Sequence, residues 1–199
     1  MPVDGVGRLL VASLHQSIAE LLPLRLGFYE HWLNESGFRE GTIGLPPFLA
    51  VLSFLRQEGD VYHAVTARAG EHAADWTVSA LSSAGRSVIS RVPAWLRARM
   101  LFRLLDRMVR RGYRGSRTAF TVRDGVARIR VSHSVFCNVR DPVRHPLCTF
   151  YASACTRLLT RFDLQTRADI VMCRGTGESV CELAIRVGKL ATDSTVPPA

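Results

Sequence analysis

The hydrophobic rhythm of this chain switches from a helical period to strand alternation and back, and that switching limits the folds open to it. Through the first half, apolar residues recur every three or four positions, as on a helix with one buried face. Residues 118–136 then alternate in "TAFTVRD" and "VARIRVSHSVF", with Asp124-Gly125 between them as a hairpin turn. The stretch "HPLCTFYASACTRLLTRF" returns to the helical period. "RADIVMC" and "VCELAIRV" alternate again, joined by "CRGTGESVC". The pattern predicts an α+β fold: an antiparallel four-stranded sheet packed with four to six helices.

The helical half divides at its breakers. "GRLLVASLHQSIAELL" stops before Pro23, and "RLGFYEHWLNESG" is closed by Gly37. "EGTIGLPP" reads as a loop, and "PFLAVLSFLRQEG" starts on Pro and stops at Gly59. Residues 61–81 form a long helix whose small face carries Ala67, Gly70 and Ala74, with Ala64 one turn before. Such a face permits close helix packing or leaves room for a ligand. Residues 1–190 are expected to form a single domain, followed by a frayed tail over 191–199.

Charge and hydropathy exclude little. The net charge is +9, almost all of it from Arg, and densest in "RVPAWLRARMLFRLLDRMVRRGYRGSR" (91–117). Leu101, Leu104, Leu105 and Met108 recur there at helical spacing, with Arg97, Arg103, Arg107, Arg110 and Arg111 around them. Nucleic acid, anionic lipid or an acidic partner could meet such a surface. A solvated face is preferred, because no aromatic interleaving or nucleic-acid motif accompanies the charge. No apolar run reaches the ~18–20 residues of a membrane span. The N-terminal stretch keeps a helical period and reads as a helix, not a signal peptide, so the expected location is cytoplasmic.

The chemistry lies in the last third. All five cysteines are there: Cys137, Cys148, Cys155, Cys173 and Cys181. An odd count without a secretion signal argues against a disulfide framework. "CRGTGESVC" lacks the strand–loop–helix context of a phosphate cradle, since a strand follows it. It also lacks the Cys-X-X-Cys of a thioredoxin-like pair. A metal clip fits better: a turn between antiparallel strands brings two thiolates together as half of a tetrahedral zinc shell. Cys148 starts a helix behind His145-Pro146, Cys155 lies two turns along it, and Cys137 ends the preceding strand. The bland alternative is a set of small buried thiols.

The stretch "CRGTGESVC" resembles the Cys-Arg-x-x-Gly-[Asp/Glu]-x-x-Cys loop of the 4-vinyl-reductase domain. "PLCTFYASA" is similar to the Pro-x-Cys helix start that precedes that loop in the family. The resemblance covers residues 146–187 and reaches the N-terminal half only loosely. It implies a fold like that of TRAPP core subunits, found in aromatic-compound sensors and in a protein linked to bacteriochlorophyll synthesis. It also implies a zinc site, to which Cys148, Cys173 and Cys181 correspond. The family's fourth ligand, a carboxylate, falls on Ile170 here. Cys137, Cys155, Asp169 or an external ligand could complete the shell; Cys137 is preferred, because closed structural sites are thiolate-rich. Asp169 should face away from Ile170 on a regular strand.

The resemblance further implies a buried cavity for a hydrophobic or aromatic molecule. Its lining candidates are His72, Trp76, Trp95, Phe102, Phe136, Phe150 and Tyr151, each of which, taken alone, is more often core than pocket. The expected function is a non-catalytic, bacterial small-molecule-binding or sensory domain with a structural zinc ion. It is expected to be a homodimer through the apolar N-terminal helix faces. An accessory role in tetrapyrrole metabolism and a TRAPP-like tethering role stand as alternatives. Catalysis is disfavoured: there is no dinucleotide fingerprint and no iron–sulfur spacing.

Overall fold

The computed structural model describes residues 5–33 and 42–187. Its class is α+β, and among the described residues it holds seven helices and two antiparallel sheets. The helices are α1 (Arg8–Leu21), α2 (Leu26–Leu33), α3 (Leu45–Gln57), α4 (Val61–Ser79), α5 (Ser83–Arg91), α6 (Ala94–Gly112) and α7 (Thr149–Thr160). The strands are β1 (Gly5–Gly7), β2 (Thr42–Gly44), β3 (Arg117–Arg123), β4 (Val126–Ser132), β5 (Ala168–Met172) and β6 (Cys181–Arg186). Gly37 and the tail from residue 188 lie outside the described residues.

The four-stranded sheet has the order β3-β4-β6-β5, so the last strand in the chain is internal. Asp124 and Gly125 both take positive φ, 49° and 71°, as a two-residue hairpin turn between twisted strands requires. Alternation sorts the faces. Ala127, Ile129 and Val131 of β4 are buried, as are Leu183 and Ile185 of β6, while Arg128 and Arg130 point outward. The register slips between Ile170 and Met172, leaving Val171 half exposed.

Helix α4 contacts both α1 and α7, and α7 also packs on β5. The small face of α4 is the expected one at Gly70 and Ala74 and differs elsewhere. Ala64 is exposed and Ala67 only half-buried; the buried small residues are Ala69, Gly70, Ala73 and Ala74. At Gly70 the helices come so close that a Cβ would lie 2.2 Å from the Phe150 carbonyl oxygen. Thr66 and Thr77 fit this apolar setting by donating their hydroxyls to the Tyr62 and Ala73 carbonyls of their own helix. Arg157 of α7 forks onto Asp75 of α4 at 2.9–3.2 Å, fixing the register between the two.

Two local expectations are corrected. Residues 42–44 are not loop but strand: β2 pairs with β1, and Val6 bridges to Tyr113. Three residues with two glycines flanking them are too short for an alternation signal. Helix α3 starts at Leu45, with Pro46 and Pro47 inside its first turn, where no intrahelical N–H is needed. The short α5 was not read from the sequence; the Ser82 hydroxyl caps it by accepting from the Gly85 amide.

In α6 the expected stripe is buried: Leu101, Leu104, Leu105 and Met108. Arg103, Arg107, Arg110 and Arg111 are exposed. Arg97 turns inward and donates to the carbonyls of Phe162, Ser90 and Val92. No helix among the described residues is long and apolar enough to cross a membrane.

Gly70→Ala tests the α4–α7 contact. In an open helix this change stabilises by about 1 kcal/mol. Here the methyl meets backbone, which cannot swing aside, so overpacking at about 1–3 kcal/mol or more wins. Thermal denaturation should show a melting temperature about 2–12 °C lower. An unchanged or raised value would refute so close a crossing.

Candidate metal centre

The four-sulfur cluster is assembled from three separate stretches. Cys137 closes a short 3-10 turn, Val135–Cys137, just past β4 and not on it as the alternation suggested. Cys148 stands at the N-cap of α7. Cys173 follows β5, and Cys181 opens β6. The loop between the last two turns through Arg174–Thr176 and Gly177, whose φ of 97° suits glycine. The Cys173 carbonyl holds this loop by accepting from the Thr176 amide at 3.0 Å, the Thr176 hydroxyl at 2.8 Å and the Glu178 amide at 3.3 Å.

All four side chains are buried, and their sulfurs lie within 4.8 Å of one another. Cys137 Sγ is 3.2 Å from Cys148 Sγ, 3.4 Å from Cys173 Sγ and 3.5 Å from Cys181 Sγ; Cys148 and Cys173 are 3.3 Å apart. These separations exceed the ~2.05 Å of a disulfide bond, and all four thiols are free. Four sulfurs in one buried space could hold a metal ion.

Two backbone amides aim at the cluster. Leu147 N–H donates to Cys173 Sγ at 3.2 Å, and Arg174 N–H to Cys181 Sγ at 3.4 Å. Such donors favour thiolate over thiol and orient the sulfur lone pairs. Cys173 is held well below the ordinary thiol range by hydrogen bonds from Cys137, Cys148 and Cys181, helped by the Leu147 amide. Cys181 is lowered through Cys137 and Cys148. Cys148 is pushed far up by its hydrogen bonds to Cys137 and Cys173 and by burial. Cys137 also ends up raised: its bond with Cys148 lowers it, but Cys173, Cys181 and burial outweigh that. The set thus gives up its first protons readily and resists losing the rest, unless a cation offsets the added charge.

The other ligand candidates lie elsewhere. Cys155 is buried apart from the four, and burial alone pushes its thiol up to about 12. Asp169 is exposed on the outer face of the sheet, 3.6 Å from Arg167. Ile170 pairs with Leu183 across the strands.

The expected small-molecule lining does not come together as one group. Phe136, Phe150 and Tyr151 pack on one another, with Phe136 stacked on Phe150 at 4.8 Å between centroids. Phe102 is buried against Phe120. His72 stacks on Trp76, which is 37% exposed, and Trp95 is 53% exposed with Arg99 over its ring. The cavity beside Phe150 and Tyr151 measures only about 10 Å³, room for one water. A polar cavity of about 260 Å³ adjoins Cys137, lined by His133, Ser134, Asn138 and Arg174. A larger one, about 470 Å³, runs between α4, α7 and β5, and no cysteine lines it.

Sequence reading missed Glu182, next to Cys181. It is 3% exposed, yet it accepts from Arg128 Nη1 at 2.6 Å and Arg130 Nε at 2.8 Å. Its signal was available: two arginines alternating on β4 need an acid across from them. The amides of Leu147 and Arg174 leave no such signal, since any residue but Pro supplies an N–H. No protein-family model matches the chain, and no curated protein matches its sequence.

Arg130 and then Arg128 hold the Glu182 carboxyl below its ordinary value. A depressed acid stabilises the fold above its unfolded pKa, and that contribution is lost as pH falls through the folded one. Glu182→Gln should therefore lower stability at neutral pH, with the gap from wild type closing below about pH 4. Urea denaturation across a pH series measures it; a gap independent of pH would remove the arginine clamp from the account.

Proposed function

We propose that this chain is a non-catalytic binding module of the sensory or carrier kind, organised around a structural zinc ion. One observation carries the reading: the four buried sulfurs, drawn from three stretches of sequence, that meet within 4.8 Å. A tetrahedral zinc with Zn–S near 2.3 Å would set its sulfurs about 3.8 Å apart. The sulfur–sulfur separations of 3.2–3.5 Å need only slight expansion to reach that. An all-thiolate donor set suits zinc over hard cations such as magnesium or calcium.

Cys137, Cys148, Cys173 and Cys181 would hold the ion. Four protein ligands leave no open position, so it would activate no water and supply folding energy. The resemblance to the 4-vinyl-reductase domain supports the same assignment, with Cys137 in place of that family's carboxylate. It also supports an apolar or aromatic ligand. Phe136, Phe150 and Tyr151 lie beside the cluster and are closed on one another, so entry of such a molecule would require these rings to part.

Metal analysis of the purified protein should find about one zinc per chain. Cys173→Ser and Cys181→Ser should each lose it, together with several kcal/mol of stability. Cys155→Ser should keep it. Metal-free wild type, with the first two variants unchanged in melting temperature, would end the zinc reading. Native mass spectrometry addresses the ligand separately: a retained small molecule supports the sensory or carrier role, and protein carrying metal alone removes it.

A further inference from the structure

The outer side of α6 carries charge that the rest of the fold does not use. From Ser82 to Arg123 the chain holds eleven arginines and a single acid, Asp106. Three of those arginines are engaged within the protein. Arg86 and Arg97 donate to backbone carbonyls, and Arg110 pairs with Asp106. Asp106 has little left to offer, because its other oxygen accepts from the Thr118 amide and hydroxyl.

Every fourth position along α6 stands apart from this. Trp95, Arg99, Arg103, Arg107 and Arg111 are all exposed. Residues at that spacing form one surface ridge of a helix, here about 24 Å long. The side chains of Arg103, Arg107 and Arg111 form no hydrogen bond or ion pair among the described residues. The ridge begins at an indole: Trp95 is 53% exposed, with the Arg99 guanidinium 5.8 Å from its ring centroid. Val88 of α5, more than half exposed, lies just across the bend between the two helices. Arg97 holds that bend by donating to the Ser90 and Val92 carbonyls. Charge alone would fit a solvated face. Unpaired guanidiniums in a row that starts at an exposed indole are a more specific pattern.

We propose that this ridge docks the protein on an anionic lipid bilayer. Guanidinium forks match the phosphate and carboxylate oxygens of lipid headgroups. Tryptophan settles at headgroup level, where its ring meets the acyl boundary and its N–H meets water. An aliphatic side chain such as Val88 gains from the same layer but cannot stack on a base, which favours a bilayer over a nucleic acid. The apolar stripe of α6 stays in the core, with Leu101, Leu105 and Met108 buried, so docking needs no unfolding. Neither the sulfur cluster nor a small-molecule ligand enters the argument.

Co-sedimentation of the full chain with vesicles tests it. Vesicles of phosphatidylcholine mixed with phosphatidylserine should retain wild type, less so as salt rises, and pure phosphatidylcholine should not. Each arginine at such a surface contributes about 5-fold in affinity, so the double variant Arg103→Gln with Arg107→Gln should bind about 25-fold more weakly. Trp95→Ala should bind several-fold more weakly and lose the blue shift that the mixed vesicles induce in tryptophan fluorescence. The double variant Arg140→Gln with Arg144→Gln removes the same charge from exposed positions off the ridge and should bind as wild type does. All these side chains are exposed, so the variants keep the fold. Three results overturn the proposal. One is no retention of wild type on the mixed vesicles. Another is equal loss in the two double variants, which would show net charge acting without a site. The third is binding to a single-stranded oligonucleotide that is tighter than to vesicles and lost with Arg103 and Arg107, which would assign the ridge to nucleic acid.

Discussion

Four sulfur atoms cannot share one buried space as thiolates unless something positive stands among them. That constraint organises the C-terminal half of this protein. The turn after β4, the start of α7, the end of β5 and the start of β6 all bring a cysteine to the same point. As neutral thiols they would be small hydrophobes with weak donors, and nothing would demand that they meet. Meeting as they do, with amides donating to two of them, they form a site that could hold a metal ion. With one bound, the long connection from Cys137 to Cys148 would be closed at both ends.

The helical half makes this convergence possible. Cys148 can reach the strands only if α7 lies low against its neighbours. The run Ala69, Gly70, Ala73 and Ala74 provides that by letting the Phe150 backbone approach α4 to van der Waals contact. Arg157 on Asp75 then fixes how far α7 can slide along the crossing. Close packing in one layer thus sets the position of a ligand atom in the next.

Much of this was legible in the sequence, for physical reasons. Asp124-Gly125 announces its turn because few other pairs accept positive φ twice. Alternation over seven residues fixed both β3 and β4, and the cysteines were visible as a group. Cys137, and not Cys155 or Asp169, lies with the other three, although its own segment is a turn and not a strand. What stayed hidden involves pairing over distance or very short segments. β1 and β2 are three residues each. The face of α4 was legible at Gly70 and Ala74 but not at Ala64 and Ala67, because alanine is tolerated both in the core and at the surface. The aromatic residues could not be sorted from sequence: Phe136 and Phe150 are core, while Trp76 and Trp95 lie at the surface. The unpaired arginines of α6 become visible only when their partners are counted in three dimensions.

The place of β6 in the sheet has a further consequence, for the order of assembly during synthesis. It is the last described element of the chain, yet it separates β4 from β5. Until it emerges, the two earlier strands have no partner between them and expose unsatisfied backbone edges. At about 5–20 residues per second of translation, that interval lasts seconds. Cys181 arrives with the same strand, so a nascent chain can present at most three of the four sulfurs, and sheet closure and completion of the cluster become a single late event after translation of this region.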